Sequence, residues 1–311
     1  MNKERNIKIT VFTPVYNRAN TIHRVYNSLR SQTYKNFEWI IVDDGSIDDT
    51  KSVVEGYMSE DNFFDIQYYY QENKGKHIAT NNGVRKAKGE FFITLDSDDG
   101  CKNNALERLL EVWESIPENE REHYKGVACR CCEPGDTHGK FLGTEMPKKI
   151  LHSDDFELRI RYKVKGELWG MTRTEILLDN PYPVIEGIRF YPEDVYWGKI
   201  GLKYKTCFFD EALRYYYEDD NQTTNQVTKN KRPKELYFKR ICALSKLVIS
   251  KYFKYNQLYF FKQAIGLVRD GLLMGKSFKE MLSESEVSIL GKCLILIALI
   301  PGGILHIKGI D

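Results

Sequence analysis

Residues 91–99 read Phe91-Phe92-Ile93-Thr94-Leu95-Asp96-Ser97-Asp98-Asp99, an apolar run that ends in three carboxylates and then meets a segment of helical pattern. In an open α/β sheet, ligands sit outside the carboxyl ends of the strands, and carboxylates projected from such an end suit a cation. A hard divalent ion held by one or two Asp keeps positions free for phosphate oxygens. The Asp-x-Asp spacing therefore points to a metal-bound diphosphate. Acidic residues at a strand-to-helix junction also serve as helix caps, so this stretch alone leaves both readings open.

Around it, short β-branched or aromatic runs alternate with helical stretches, the pattern of βαβ units and a largely parallel sheet. Ile7 to Phe12 is the first strand and runs into the loop Thr13-Pro14-Val15-Tyr16-Asn17-Arg18. Asn20 can then cap a helix with Ile22, Val25, Tyr26 and Leu29 on one face. Phe37 to Val42 is the second strand, closed by Asp43-Asp44-Gly45-Ser46, and Ser46 to Asp49 caps a helix with Val53, Val54 and Tyr57 inward. Ile66 to Tyr70 makes a third strand, Ile78 to Ala87 a helix, and Glu90 to Leu95 the strand that carries Asp96. The loops at these strand ends are expected on one edge of the sheet.

With 311 residues, 42% hydrophobic and 29% charged, the chain is globular and long enough for two domains or one with an extension. Seven cysteines, an odd number, are scattered along it, and Lys3 and Arg5 precede only a short strand, so a reducing cytoplasm is expected rather than secretion. Cys129, Cys131 and Cys132 lack a second ligand pair at zinc spacing and read as buried thiols in a strand. Asn221-Gln222-Thr223 matches a glycosylation sequon, which carries no meaning in a cytosolic chain. The net charge of +2 divides unevenly: residues 229–311 hold 15 Lys and Arg against 6 Asp and Glu, and residues 1–228 hold 31 against 38. A polar stretch from Thr223 to Pro233 separates these regions and reads as a linker. The expected division is a catalytic domain over 1–228, with a nucleotide-binding half (1–100) and an acceptor half (101–228), followed by a basic helical region over 229–311.

The string from Val11-Phe12-Thr13-Pro14-Val15-Tyr16-Asn17-Arg18 through Ser31-Gln32-Thr33-Tyr34 and Val42-Asp43-Asp44-Gly45-Ser46 to Leu95-Asp96-Ser97-Asp98-Asp99, followed by Tyr191-Pro192-Glu193-Asp194, closely resembles the family-2 glycosyltransferases of the GT-A fold. The resemblance covers about two thirds of the chain. It implies a Rossmann-like nucleotide-diphospho-sugar transferase fold, here with a C-terminal helical extension. It also implies Pro14, Val15, Tyr16 and Arg18 as donor contacts, and Asp43 as acceptor of the uracil N3–H, which favours UDP. Gly75 and Lys76, in Asn73-Lys74-Gly75-Lys76-His77, stand where relatives carry an Asn-x-Gly loop against the nucleotide; Lys76 reads equally well as a solvated lysine at a helix start. By the same resemblance Asp96 and Ser97 lie at the ribose and Asp98, with Asp96, holds Mg2+ or Mn2+. Asp99 is left to cap the next helix. Relatives often add a His to the metal shell, and Tyr215-Tyr216-Tyr217-Glu218-Asp219-Asp220 has none.

Past this half, strands are expected over Val127 to Cys132 and Lys163 to Arg173. In the family the second acid of the Glu-Asp pair is the base, which assigns Asp194, beside Glu193, to deprotonate the acceptor hydroxyl; a helix cap is the alternative. One base and no carboxylate nucleophile implies a single displacement with inversion at C1. Trp169 reads either as a floor for a sugar ring or as a core residue. The implied activity is that of an inverting, metal-dependent transferase that moves sugar from a UDP-sugar to a carbohydrate or lipid-linked saccharide acceptor in surface polysaccharide synthesis.

Two other classes compete with it. A sugar nucleotidyltransferase would carry a glycine-rich loop after the first strand, and Thr13 to Arg18 has no glycine. A catalytically silent sugar- or partner-binding protein would not need Asp43, Asp96, Asp98 and Asp194 together. Nucleic acid is not an expected partner, because the basic residues are spread along apolar-striped helices. The final apolar stretch, Cys293 to Leu305, is short and interrupted by Pro301-Gly302-Gly303. It either packs as a last helix or lies peripherally on the inner face of an anionic membrane.

Overall fold

The computed structural model describes residues 7–135, 140–185, 191–217 and 233–308. In chain order its elements are β1 (Ile9–Val15), α1 (His23–Arg30), β2 (Phe37–Asp43), α2 (Thr50–Met58), β3 (Asp65–Tyr70), α3 (Lys76–Lys86), β4 (Phe91–Thr94), β5 (Gly100–Cys101) and α4 (Ala105–Glu114). There follow β6 (Tyr124–Cys132), β7 (Ile150–Ser153), α5 (Asp155–Ile160), β8 (Leu168–Arg173), α6 (Thr174–Asp179), α7 (Glu193–Gly201) and β9 (Lys205–Tyr215). The chain ends in α8 (Pro233–Ala243), α9 (Lys246–Tyr252), α10 (Gln257–Leu273), α11 (Phe278–Ser283) and α12 (Ile289–Lys308).

These elements form two compact units, and the second takes in residues on both sides of the expected boundary at 228/229. The first takes the chain up to Ser153, Val164–Val184 and the stretch carrying β9; the second takes Asp154–Lys163, the segment carrying α7, and the helices from Pro233 onward. The boundary shifts because α5 and α7 pack with the C-terminal helices. The expected linker, up to Arg232, lies outside the described residues.

The first unit is built on a sheet of order β3-β2-β1-β4-β8-β6-β9-β5, with β7 paired to β9. Its first four strands are parallel. The expectation of a largely parallel sheet holds only there, because β8 runs antiparallel to both β4 and β6 instead of repeating the βαβ unit. Every residue of β2 is buried, as a central strand covered on both faces requires. Alternation sorts the side chains: Val11, Trp39, Ile41, Phe91 and Ile93 enter one core, while Phe12 stacks on Phe92 with ring centroids 5.2 Å apart. Glu38, buried within β2, is satisfied by Thr10 Oγ1 at 2.6 Å, Gln67 Nε2 at 2.7 Å and the Lys88 N–H at 2.7 Å.

Two capping expectations fail locally. Helix α1 starts at His23 with no side-chain cap, because Asn20 lies in the turn that precedes it. The acidic run does not meet a helix directly either, since β5 intervenes and α4 begins only at Ala105. Cys129, Cys131 and Cys132 are buried free thiols in β6, as expected.

In the second unit, Ile160, Tyr237, Leu244, Val248, Phe260, Leu267, Ile295 and Ala298 belong to one core. Asp154 caps α5 through the Glu157 N–H at 2.9 Å and accepts from Tyr252 Oη at 2.5 Å and Lys251 Nζ at 3.0 Å. Asp270, fully buried in α10, pairs with Arg240 Nε at 2.6 Å and Arg269 Nη2 at 2.7 Å. Helix α10 runs through the expected helical region, but α12 differs from expectation: it continues through Pro301, Gly302 and Gly303 to Lys308. Proline in a helix interior costs about 3 kcal/mol, and the packing of α12 on α10 offsets that loss. Truncating Phe12 to Ala should destabilise the protein by about 3–5 kcal/mol, read as a lowered midpoint of urea unfolding.

Candidate active site

Strand β1 runs further than its sequence pattern indicates, so Pro14 and Val15 are strand residues rather than loop. Pro14 pairs in register with Val42, and the Val15 carbonyl accepts the Asp44 N–H at 2.8 Å. A proline is tolerated in this central strand because the ladder with β4 ends at Phe12 and Thr94, so no partner awaits its missing N–H on that side. Past the strand, Tyr16 is exposed and Asn17 adopts φ 54°. The Asn17 N–H donates to Ser46 Oγ at 2.8 Å, and its Oδ1 accepts from the Ile47 N–H at 2.9 Å. The first and second strand-end loops are thereby joined.

The paired acids Asp43 and Asp44 are both buried and turn in different directions. Asp43 accepts from the Ser46 N–H at 2.7 Å and from Tyr68 Oη at 2.5 Å. Burial, and then this bond to a carboxylate, raise the Tyr68 phenol well above its ordinary value, so it stays a donor. Asp44 accepts from Gln71 Nε2 at 2.7 Å and from the N–H groups of Lys74 and Gly75, each at 2.8 Å. It thus shapes the Asn73–Gly75 turn from which α3 starts. Gly45, at φ 89°, lies so close beneath this turn that a Cβ there would stand 2.9 Å from the Asn73 nitrogen.

Just past β4, the acidic run interleaves with three cations. Arg18 donates from Nε to Ser97 Oγ at 3.2 Å and brings Nη2 to 3.9 Å from Asp98. Lys76, the first residue of α3, pairs with Asp96 Oδ1 at 2.7 Å. Arg214, buried near the end of β9, donates to Asp96 Oδ2 at 2.7 Å and grips Asp99 through Nε at 2.8 Å and through Nη2. Asp99 also accepts the Tyr217 N–H at 3.1 Å and therefore does not cap a helix. Burial alone would raise the Asp96 carboxyl; Lys76 and Arg214 overcome this and hold it well below the usual carboxylate range. Arg214 behaves conversely: burial would lower it, but Asp96 and Asp99 keep it firmly charged.

Sequence reasoning missed Arg214 and the bracing role of Asp44. An arginine directly after the apolar pair Ala212-Leu213 of a strand is itself a signal that a carboxylate must wait opposite. Trp169, read as either sugar floor or core, is buried, and its indole N–H donates to the Thr94 carbonyl at 2.8 Å, just before the acidic loop.

Among the described residues no three His, Cys, Asp or Glu side chains gather as a metal centre. Asp96, expected as a ligand, has an oxygen committed to each of two cations. Asp98 is different: its side chain is 33% exposed and its cation partner is only loosely placed. One carboxylate with substrate phosphates and water is a shell that Mg2+ or Mn2+ accepts, so Asp98 fits this role. The third ligand sought after Tyr215 is not among the described residues, which there end at Tyr217.

Glu193 and Asp194 belong to the second unit, in the first turn of α7. Asp194 is half-exposed, receives the Val195 N–H at 3.0 Å, and forms an ion pair with Lys239 of α8. No pattern in the sequence indicated Lys239 as its partner.

Residues 10–119 match the family model Glycosyl transferase family 2. This stretch is a glycosyltransferase family 2 domain. Among the proteins similar to this chain is the GalNAc(5)-diNAcBac-PP-undecaprenol beta-1,3-glucosyltransferase of Campylobacter jejuni, 29% identical over 215 residues that make up 67% of this chain and 64% of that one. Glycosyltransferase GlyG of Streptococcus pneumoniae is 38% identical over 104 residues, 33% of this chain and 34% of its own. The chain spans between 22% and 64% of the length of curated relatives such as these. In solved structures the fold is shared with S. aureus TarS 1-349 in complex with UDP-GlcNAc, at TM-score 0.63 and 16% identity, covering 98% of this chain and 93% of that one.

Replacing Arg214 by Met leaves Asp96 and buried Asp99 without their shared cation and should destabilise the protein by about 3–5 kcal/mol, read by thermal or denaturant unfolding. Asp44→Ala should cost about 1–3 kcal/mol by orphaning the Lys74 and Gly75 donors. Lys76→Met, which removes one of two cations from a partly exposed carboxylate, should change stability by less than about 1 kcal/mol.

Proposed function

We propose that this family-2 glycosyltransferase moves a sugar from a UDP-sugar to a hydroxyl of a carbohydrate or lipid-linked saccharide acceptor, with inversion at C1. The observation that carries this reading is the bonding of three strand-end loops on one sheet edge: Arg18 ties the β1 loop to Ser97 and Asp98, and Asn17 ties it to Ser46. That edge presents two partly exposed cations, Arg18 and Lys76, to a diphosphate, with the start of α3 beside them. Tyr16 and Arg18 form the approach for the nucleoside. Asp43 retains acceptor capacity for a uracil N3–H beyond the Ser46 and Tyr68 bonds, since a carboxylate can accept about four hydrogen bonds.

In the reaction so inferred, the acceptor oxygen attacks C1 as the C1–O bond to UDP breaks, and the acceptor proton passes to Asp194. Lys239 pairs with the Asp194 carboxylate and orients it, and Glu193 lies beside it in the same helical turn. Arg18 and Lys76 take up charge that develops on the leaving diphosphate. A divalent ion bound at Asp98 would add countercharge to the same phosphates. The S. aureus structures with UDP and UDP-GlcNAc support the donor class, and the Campylobacter relative supports a lipid-linked acceptor. The Pyrobaculum calidifontis mannosyltransferase in complex with GDP-Man and Mn2+, at TM-score 0.50, supports the metal. A cytoplasmic setting agrees with the buried free thiols.

The test is a thermal-shift and turnover screen against nucleotide sugars with Mn2+, Mg2+ or EDTA. UDP-sugars should stabilise the protein in a metal-dependent way, and Asp98→Ala should abolish that dependence. Asp194→Asn should keep donor binding and lower kcat by about 10²–10⁴-fold. NMR of the product should show the anomer opposite to the donor's. Binding of no nucleotide sugar under any metal condition would make this a silent sugar- or partner-binding protein instead.

A further inference from the structure

Helix α12 is apolar almost throughout and two-faced in an unusual sense. Gly291, Ile295, Ala298 and Gly302 are buried, and at Gly302 the helix lies so close to α10 that a Cβ would stand 2.7 Å from Val268 Cβ. The remaining surface is also apolar: Ile289 is 84% exposed, Ile297 64% and Ile300 76%, with Cys293, Leu296 and Ile304 exposed between and beyond them. Their spacing of three and four residues makes one continuous stripe along the helix. Only 22% of residues 289–306 are buried, far too few for the core helix of a soluble protein. An exposed apolar face of this length marks an interaction surface.

We propose that this stripe seats the protein on an anionic lipid bilayer, with α12 lying in the interface and its outer side chains about 5–10 Å into the headgroup and acyl boundary. Charge selects this occupant. Residues 233–308 carry 12 Lys and Arg against 5 Asp and Glu, and no acidic residue occurs between Val287 and Lys308. Lys292 lies within the helix. Exposed Lys246 and Leu247 stand next to its start, where the Leu244 carbonyl accepts the Ser288 N–H at 3.0 Å. Lysines at the rim of an apolar surface fit lipid phosphates, whereas a second copy would set one positive region against another. By length and composition α12 is also capable of spanning a bilayer, but its inner face is docked on α10, which carries Arg269 and Asp270. A crossing would draw these charges into hydrocarbon. This inference does not depend on the donor or the chemistry.

The full chain is sedimented with vesicles of phosphatidylcholine, alone or mixed with phosphatidylglycerol, at low and high salt. It should bind the mixed vesicles, bind neutral ones more weakly, and lose affinity as salt rises. The double substitution Ile297→Glu with Ile300→Glu, on exposed positions, should lower vesicle affinity by at least about tenfold with an unchanged melting temperature. In Ile297→Trp, fluorescence should be quenched by lipids brominated near the headgroup end of the acyl chain. The proposal is overturned if neither vesicle is bound or if the double variant binds as well as the parent. It is equally overturned by a dimer that the double variant abolishes in the absence of vesicle binding, or by quenching greatest with lipids brominated at the bilayer centre.

Discussion

The buried guanidinium of Arg214, held between Asp96 and Asp99, is the interaction on which the acidic loop depends. Removing three charges from water is costly, and only close, directional pairing compensates. The planar fork of arginine supplies it by reaching both carboxylates at once. Asp96 and Arg214 are 118 residues apart in sequence, so the local acidic motif takes its geometry from a strand that arrives much later in the chain.

Around this anchor the site is a mosaic of opposite charges. Lys76 balances the second oxygen of Asp96, and Arg18 stands near Asp98 without closing on it. Such a cluster is near neutral and its surface-facing pairs can exchange partners, because each of them is weakly held while the Arg214 pairs are not. Asp44 performs the complementary structural task, fixing backbone rather than charge by holding the turn before α3 through two N–H groups. Two adjacent aspartates of the same strand end thus do different work: Asp43 engages its own loop and Tyr68, and Asp44 engages the next loop.

Much of this was legible beforehand. The alternation of strands and helices up to Asp99, the edge on which Tyr16, Arg18, Asp43 and Lys76 lie, and the burial of the Cys129–Cys132 thiols all follow from period and residue type. The strand ends were less legible. Pro14 and Val15 extend β1 because the neighbouring strand stops short, and β4 leads into β5 rather than a helix. The continuity of α12 through Pro301 was hidden because packing on α10, not local preference, decides it.

By itself the sequence determined the fold class, the resemblance to family-2 glycosyltransferases and which side chains carry charge at the strand ends, since periodicity and local motif are written in neighbouring residues. Tertiary structure alone decided which of those charges are spent on each other. Asp96 is committed to Lys76 and Arg214, Asp98 is left partly open, Asp194 meets Lys239, and one side of α12 stays uncovered. Each outcome depends on partners brought together from distant parts of the chain, and long-range electrostatics and packing leave no local signature in residue order.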